Sequence, residues 1–207
     1  MDVEIEKPHV HHHKSGLPWY DLVLPIAALF VSFVSIFIAW EHGQVMKELV
    51  HQNERLVQAN SLPYLQLNAS NVSPTGEPRI LLQVANQGVG PAEIRTAEVL
   101  VDNKPQPDFD AVLRACCGDP RKLSNYITST LLGDMIRPGE RVNYVQLSAT
   151  RQNIDSWMAF DKARQTRIVT RLCYCSVFGD CWFVTSDDEQ PPRKVAQCAP
   201  VATIYRR

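Results

Sequence analysis

A chain of 207 residues with a formal net charge of −1 has room for one ordinary domain beside any membrane segment. The near-neutral balance, without a basic stripe carrying interleaved aromatics, excludes a nucleic-acid footprint. All six histidines lie at positions 9, 11, 12, 13, 42 and 51, so residues 61–207 are barred from Ser-His-Asp or Cys-His chemistry and from histidine metal sites.

Residues 1–18 read as a polar tail that Pro8, Gly16 and Pro18 keep from regular structure. Its His9, His11, His12 and His13 could hold a metal loosely, but an idle tail or a cloning remnant explains them as well. Residues 19–40 are read as a membrane span. Its centre, Leu22 to Trp40, is nineteen residues without a formal charge, long enough to cross about 30 Å of hydrocarbon. Trp19 and Trp40 bracket it as interfacial aromatics do, and Pro25 is placed in the first turn. The run is longer than a signal-peptide core and no small-residue cleavage site precedes Glu41, which favours a retained signal-anchor.

The helical pattern continues through residues 41–62 as a stalk, until Pro63 blocks it. Ala28, Ser32, Ser35, Ala39, His42, Met46, Leu49, Asn53, Leu56 and Asn60 follow alternating steps of four and three, a heptad seam. Its membrane part is Ala28, Ser32, Ser35 and Ala39, small residues that permit close helix approach. Its aqueous part is Met46, Leu49 and Leu56, with Asn53 at a core position where one Asn sets register. The seam predicts a homodimeric, coiled-coil-like stalk; the alternative is a monomeric anchor, since the aqueous part is under three heptads and Gly43 weakens it.

Cys116, Cys117, Cys173, Cys175, Cys181 and Cys198 all follow the span. An even number in a tethered domain points to disulfides and an oxidising compartment. Reduced thiols in a cytoplasmic domain and a cysteine-only zinc site are the alternatives. Lys7 and Lys14 on one side nearly balance Lys47 and Arg55 on the other, so the cysteines carry the orientation: tail inside, domain outside, in an inner membrane.

Residues 63–186 read as the domain. A first strand covers Tyr64 to Leu67, and a loop Asn68 to Pro78 carries glycosylation-type triplets at Asn68 and Asn71. A second strand runs Arg79 to Ala85. In the turn Asn86 to Ala92, two glycines supply positive φ or close backbone approach. A third strand runs Glu93 to Val101. Residues 107–136 look inserted, with a short helix at Asp108 to Cys117. After the Arg137-to-Glu140 turn come a strand at Arg141 to Leu147 and a helix at Arg151 to Ala163. That helix is expected to turn Ile154, Trp157, Met158 and Phe160 to the core.

The strands Arg167 to Val177 and Cys181 to Thr185 form a hairpin. Cys173 and Cys175 share a face, and a Cys175–Cys181 bridge is open if the register allows. The vicinal Cys116 and Cys117 are expected to bond outward to separate partners. Residues 187–207 form a Pro-rich tail in which Cys198 would gain most from a bond.

Short strands with turn signals predict a mainly β fold, a β-sandwich with helical insertions. The run Val84 to Ile94, V-A-N-Q-G-V-G-P-A-E-I, resembles the strand-turn-strand element of immunoglobulin-like adhesion and tether modules, and Arg137-Pro-Gly-Glu140 resembles another of their turns. The layout, with N-x-G-x-G-P-A at Asn86 to Ala92 and C-Y-C-S-V-F-x-x-C-W at Cys173 to Trp182, also resembles uncharacterised bacterial single-pass membrane proteins. The resemblance implies an immunoglobulin-like fold and a membrane address, without an activity.

No P-loop, dinucleotide fingerprint or EF-hand loop is present, and no cofactor, metal site or enzyme activity is expected. The partners expected are the membrane, an unidentified protein and a second copy of the chain. The rival readings are a thiol-disulfide protein using Cys173, Cys175 and Cys181, and a cytoplasm-facing interaction domain.

Overall fold

The computed structural model describes residues 18–123, 126–188 and 190–206; the histidine cluster of the tail lies outside them. The chain divides into a unit ending at Glu54 and a second from Arg55 to Arg207. Helix α1 covers Pro18–Ala59. Pro18 takes its first position, where a missing N–H costs nothing. The helix starts earlier than the sequence implies, which moves Pro25 out of the first turn and removes one ladder bond there. Its segment Leu22–Ala59 is long and apolar enough to cross a membrane, with mean hydropathy 2.7 in its most apolar window and none of that window buried. The last turn closes through Asn60 N–H to the Leu56 carbonyl at 2.9 Å.

The second unit contains two antiparallel sheets. In one, β1 (Leu65–Val72), β2 (Pro78–Asn86), β7 (Arg141–Ser148) and β5 (Tyr126–Thr128) lie in that spatial order. In the other, the order is β10 (Arg193–Val195), β9 (Cys181–Thr185), β8 (Ile168–Cys175), β3 (Ala92–Val101) and β4 (Lys104–Gln106). The two-residue β6 (Met135–Ile136) pairs with the start of β3. Alternation builds the core. Ile80, Leu82, Val84, Val145 and Leu147 of the first sheet join Ile94, Ala97, Val99, Leu172, Tyr174 and Val184 of the second in one buried cluster. Where the sheets face each other, the Tyr144 and Thr170 hydroxyls pair at 2.9 Å, so neither is buried unpaired.

Strand β1 runs five residues beyond the expected Leu67, so Asn68 and Asn71 lie on a strand, not in a loop. An edge strand tolerates this polar run because only one side pairs, with β2, and its outer side chains face solvent.

Residues 107–136 are less an insertion than a wall of the core. Helix α2 (Phe109–Cys116) is capped by Asp108, whose carboxylate accepts from Ala111 N–H at 2.7 Å. It buries Phe109, Val112 and Leu113, and Leu123, Leu131 and Ile136 join the same cluster. Helix α3 (Ile154–Thr166) buries Trp157, Phe160 and Ala163. The Phe109 ring meets Phe160 and Tyr126 edge-on at 5.4 and 4.9 Å. Ile154 and Met158 are exposed, contrary to the sequence expectation. Helical spacing alone allows either side of Trp157 to turn inward; the core accepts the face holding Phe160 and Ala163.

The segment after residue 186 is part of the domain and not a trailing tail. β10 pairs with β9, Tyr205 is buried, and Tyr205 N–H donates to the Ala97 carbonyl at 3.0 Å. Phe160→Ala should lower the unfolding free energy by about 3–5 kcal/mol, while Met158→Ala should change it by less than about 0.5 kcal/mol. Urea titration of the detergent-solubilised chain measures both.

Candidate functional site

The turn Asn86 to Ala92 holds the chain that leaves α1. Asn86 is 1% exposed. Its amide nitrogen donates to the Gly90 carbonyl at 2.8 Å and the Ile136 carbonyl at 3.0 Å. Its amide oxygen accepts from Gly88 N–H at 2.9 Å and Tyr64 N–H at 3.2 Å. Asn is the side chain for this position because it offers two donors and an acceptor on one short stem. Val89 N–H donates to the Leu62 carbonyl at 3.0 Å, and Gln87 N–H to the Tyr64 carbonyl at 2.7 Å. On the other side, Leu65 N–H donates to the Tyr174 hydroxyl at 3.2 Å. Neither Gly88 nor Gly90 has positive φ; of the two roles open to them, close approach is the one used. A Cβ on Gly88 would overlap Leu62 and Tyr64 backbone, and one on Gly90 would overlap Ser61.

The six cysteines are joined in three pairs: Cys116–Cys117, Cys173–Cys198 and Cys175–Cys181. Cys175 and Cys181 are direct cross-strand partners, with Cα atoms 4.0 Å apart. Cys198 ties the C-terminal segment to β8. That bond spans 25 residues, and in the chain-entropy picture it stabilises by about 3.5 kcal/mol, against about 2 kcal/mol for the six-residue span of Cys175–Cys181. Inward residues of β8 enter the core, whereas Cys173 and Cys175 point to its other face, which the C-terminal segment covers. There the Sγ atoms of Cys175, Cys181 and Cys198 lie within 4.8 Å of one another. Joined as disulfides they are not thiolates, the form in which cysteine ligates a metal.

The Cys116–Cys117 pairing corrects the expectation of separate partners. α2 ends here and presents both sulfurs beside each other, and among the described residues the remaining cysteines are bonded to one another. Arg167 closes this helix end, donating to the Cys116 and Ala115 carbonyls at 3.3 and 3.4 Å. It is held by Asp102, and their hydrogen bonds keep the Asp102 carboxyl below the usual range. Asp110 accepts from the Tyr126 hydroxyl at 2.6 Å, which with partial burial pushes that phenol up to about 12. Burial pushes Tyr144 up to about 12, and burial with a smaller contribution from nearby Tyr64 does the same to Tyr174. These phenols stay protonated and act as fixed hydrogen-bonding posts.

The seam residues Ala28, Ser32, Ser35, Ala39, Met46, Leu49, Asn53 and Leu56 are all exposed along α1. Ser32 and Ser35 donate their hydroxyls to the Ala28 and Val31 carbonyls at 2.8 Å. Both hydroxyl donors are thereby satisfied within the helix. On the β unit, Glu93 pairs with Cys175, which sets the β2–β3 and β8–β9 turns at one end of the sheets. Val89, Val177 and Phe178 are exposed on these turns.

Comparison with known protein families, with characterised proteins and with solved structures finds no match to this chain.

The Asn86 hub and the Tyr174 post escape a one-dimensional reading because their partners lie up to 109 residues away. The only local signal is the spacing N-x-G-x-G at Asn86 to Gly90. Gly90→Ala should destabilise the chain by about 2–3 kcal/mol, because the overlapping atoms are backbone that cannot rotate aside. It should also open a protease-sensitive site near Ser61. Urea titration and limited proteolysis read the two effects; unchanged behaviour in both would show that the connector is free to shift.

Proposed function

We propose that the chain is a membrane-anchored, extracytoplasmic binding module with an immunoglobulin-like domain, one that self-associates through α1. The observation that carries this reading is α1 itself. Its apolar window is entirely uncovered, and such a surface is stable in lipid and not in water. An inner-membrane address with the preceding tail in the cytoplasm fits the paired cysteines, because disulfides persist in oxidising compartments.

The strand order supports an immunoglobulin-like assignment. β1-β2-β7-β5 parallels the A-B-E-D sheet, and β9-β8-β3-β4 parallels G-F-C with one added strand. Helix α3 before β8, the flanking β10 and the absence of a β2–β8 disulfide among the described residues are departures. Binding is favoured over catalysis because residues 61–207 lack histidine, and because Val89, Val177 and Phe178 expose apolar tips at one end. The ligand class these tips suit is a protein surface.

Labelling intact cells with a membrane-impermeant maleimide tests the address. Label taken up only after external reduction is expected. Label taken up only once the membrane is opened, without reduction, would overturn it. Self-association has a separate test in site-directed cross-linking. Ser32→Leu should reduce cross-linked dimer several-fold by separating the helices, and Asn53→Leu should change the oligomer distribution while the domain stays folded. Unchanged patterns in both would sink the seam.

A further inference from the structure

We infer that the two disulfides on the outer face of β8 form a thiol–disulfide exchange site, in which Cys175 and Cys198 are the sulfurs that trade partners. Each belongs to a different bond, Cys175 to Cys181 and Cys198 to Cys173. Yet their Sγ atoms are 3.8 Å apart, in van der Waals contact. The backbone makes this contact. Cys173 and Cys175 share one face of β8, Cys181 stands directly across from Cys175, and the C-terminal segment lays Cys198 over the same face.

The ligand class is a thiol. A thiolate attacks Cys181 Sγ, a new bond forms to Cys181, the Cys175–Cys181 bond breaks, and Cys175 leaves as thiolate. Cys175 then attacks Cys198. The Cys175–Cys198 bond forms, the Cys173–Cys198 bond breaks, and Cys173 takes up the proton given up by the incoming thiol. One thiol is consumed and one is released, with no net oxidation. Attack at Cys173 instead frees Cys198, which crosses the same gap to Cys175 and releases Cys181. Both routes converge on one new bond, Cys175–Cys198. The exchange moves the anchor of the C-terminal segment two residues along β8, leaving β9 joined to β8 by strand pairing without a covalent link. It depends on sulfur positions and not on membrane orientation, so it stands or falls apart from the binding reading.

Two single variants of the full chain in detergent test this without any added ligand. Cys181→Ser leaves Cys175 unpaired beside the intact second bond. Cys173→Ser leaves Cys198 unpaired beside the intact first bond. After incubation at pH 8, free thiols are blocked with N-ethylmaleimide and the chain is unfolded and digested with chymotrypsin. Cleavage after Tyr174 and Phe178 separates Cys173, Cys175 and Cys181, and mass spectrometry reads the links. At least about one chain in ten carrying Cys175–Cys198 in either variant is expected, since the two bonds are chemically alike and exchange is near balance. Less than that in both variants overturns the proposal. So does a spread of links that includes Cys116 or Cys117, which marks scrambling of an unfolded chain and not local exchange.

Discussion

A single buried amide settles where the β unit begins. Asn86 ends β2, and its side chain is shared among the connector at Tyr64, the turn at Gly88 and Gly90, and the carbonyl of Ile136 in β6. Every hydrogen-bonding group on that amide has a partner, and no other side chain of similar size could replace it without stranding one of them. Because Gly88 and Gly90 lack a Cβ, the connector from α1 can lie directly on the turn. The clamp therefore sets the starting point of β1, and β1 sets the register of the first sheet through its seven pairs with β2.

The segment that enters β1 is fixed along its length by hydrogen bonds. Here Leu62, Tyr64 and Leu65 are each held by backbone or side-chain hydrogen bonds within the β unit. At the opposite end of the sequence, Cys198, β10 and Tyr205 secure the C-terminal segment over β8 and β3. Both ends of the domain are thus tied into its sheets, one by hydrogen bonds and the other by a covalent bond.

The sulfur chemistry follows from strand geometry. Period-two alternation sends Leu172 and Tyr174 into the core and Cys173 and Cys175 to the other face. Two disulfides placed side by side on one strand stabilise the hairpin and the C-terminal segment, and the same placement brings sulfurs of different bonds into contact. The bracing of the hairpin and the contact between Cys175 and Cys198 are two consequences of one register.

Much was legible along the chain. The uncharged run from Leu22 to Trp40 marked an apolar helix by length alone, and alternation in Arg79 to Ala85 and Arg141 to Leu147 marked strands. Helix α2 was placed to within a residue because the apolar face of Phe109, Val112 and Leu113 is a local signal. Tertiary structure alone decided the rest. Whether Ile154 or Ala163 of α3 would face inward depended on a core already holding Phe109. Whether Cys117 would bond its neighbour or a distant sulfur depended on where β8, β9 and the C-terminal segment brought the other four. The partners of Asn86 and Tyr174 were equally hidden, being up to 109 residues away. Periodicity and capping are written in neighbouring residues and survive reading one residue at a time. Pairing between distant atoms does not, because it exists only once the sheets have closed on one another.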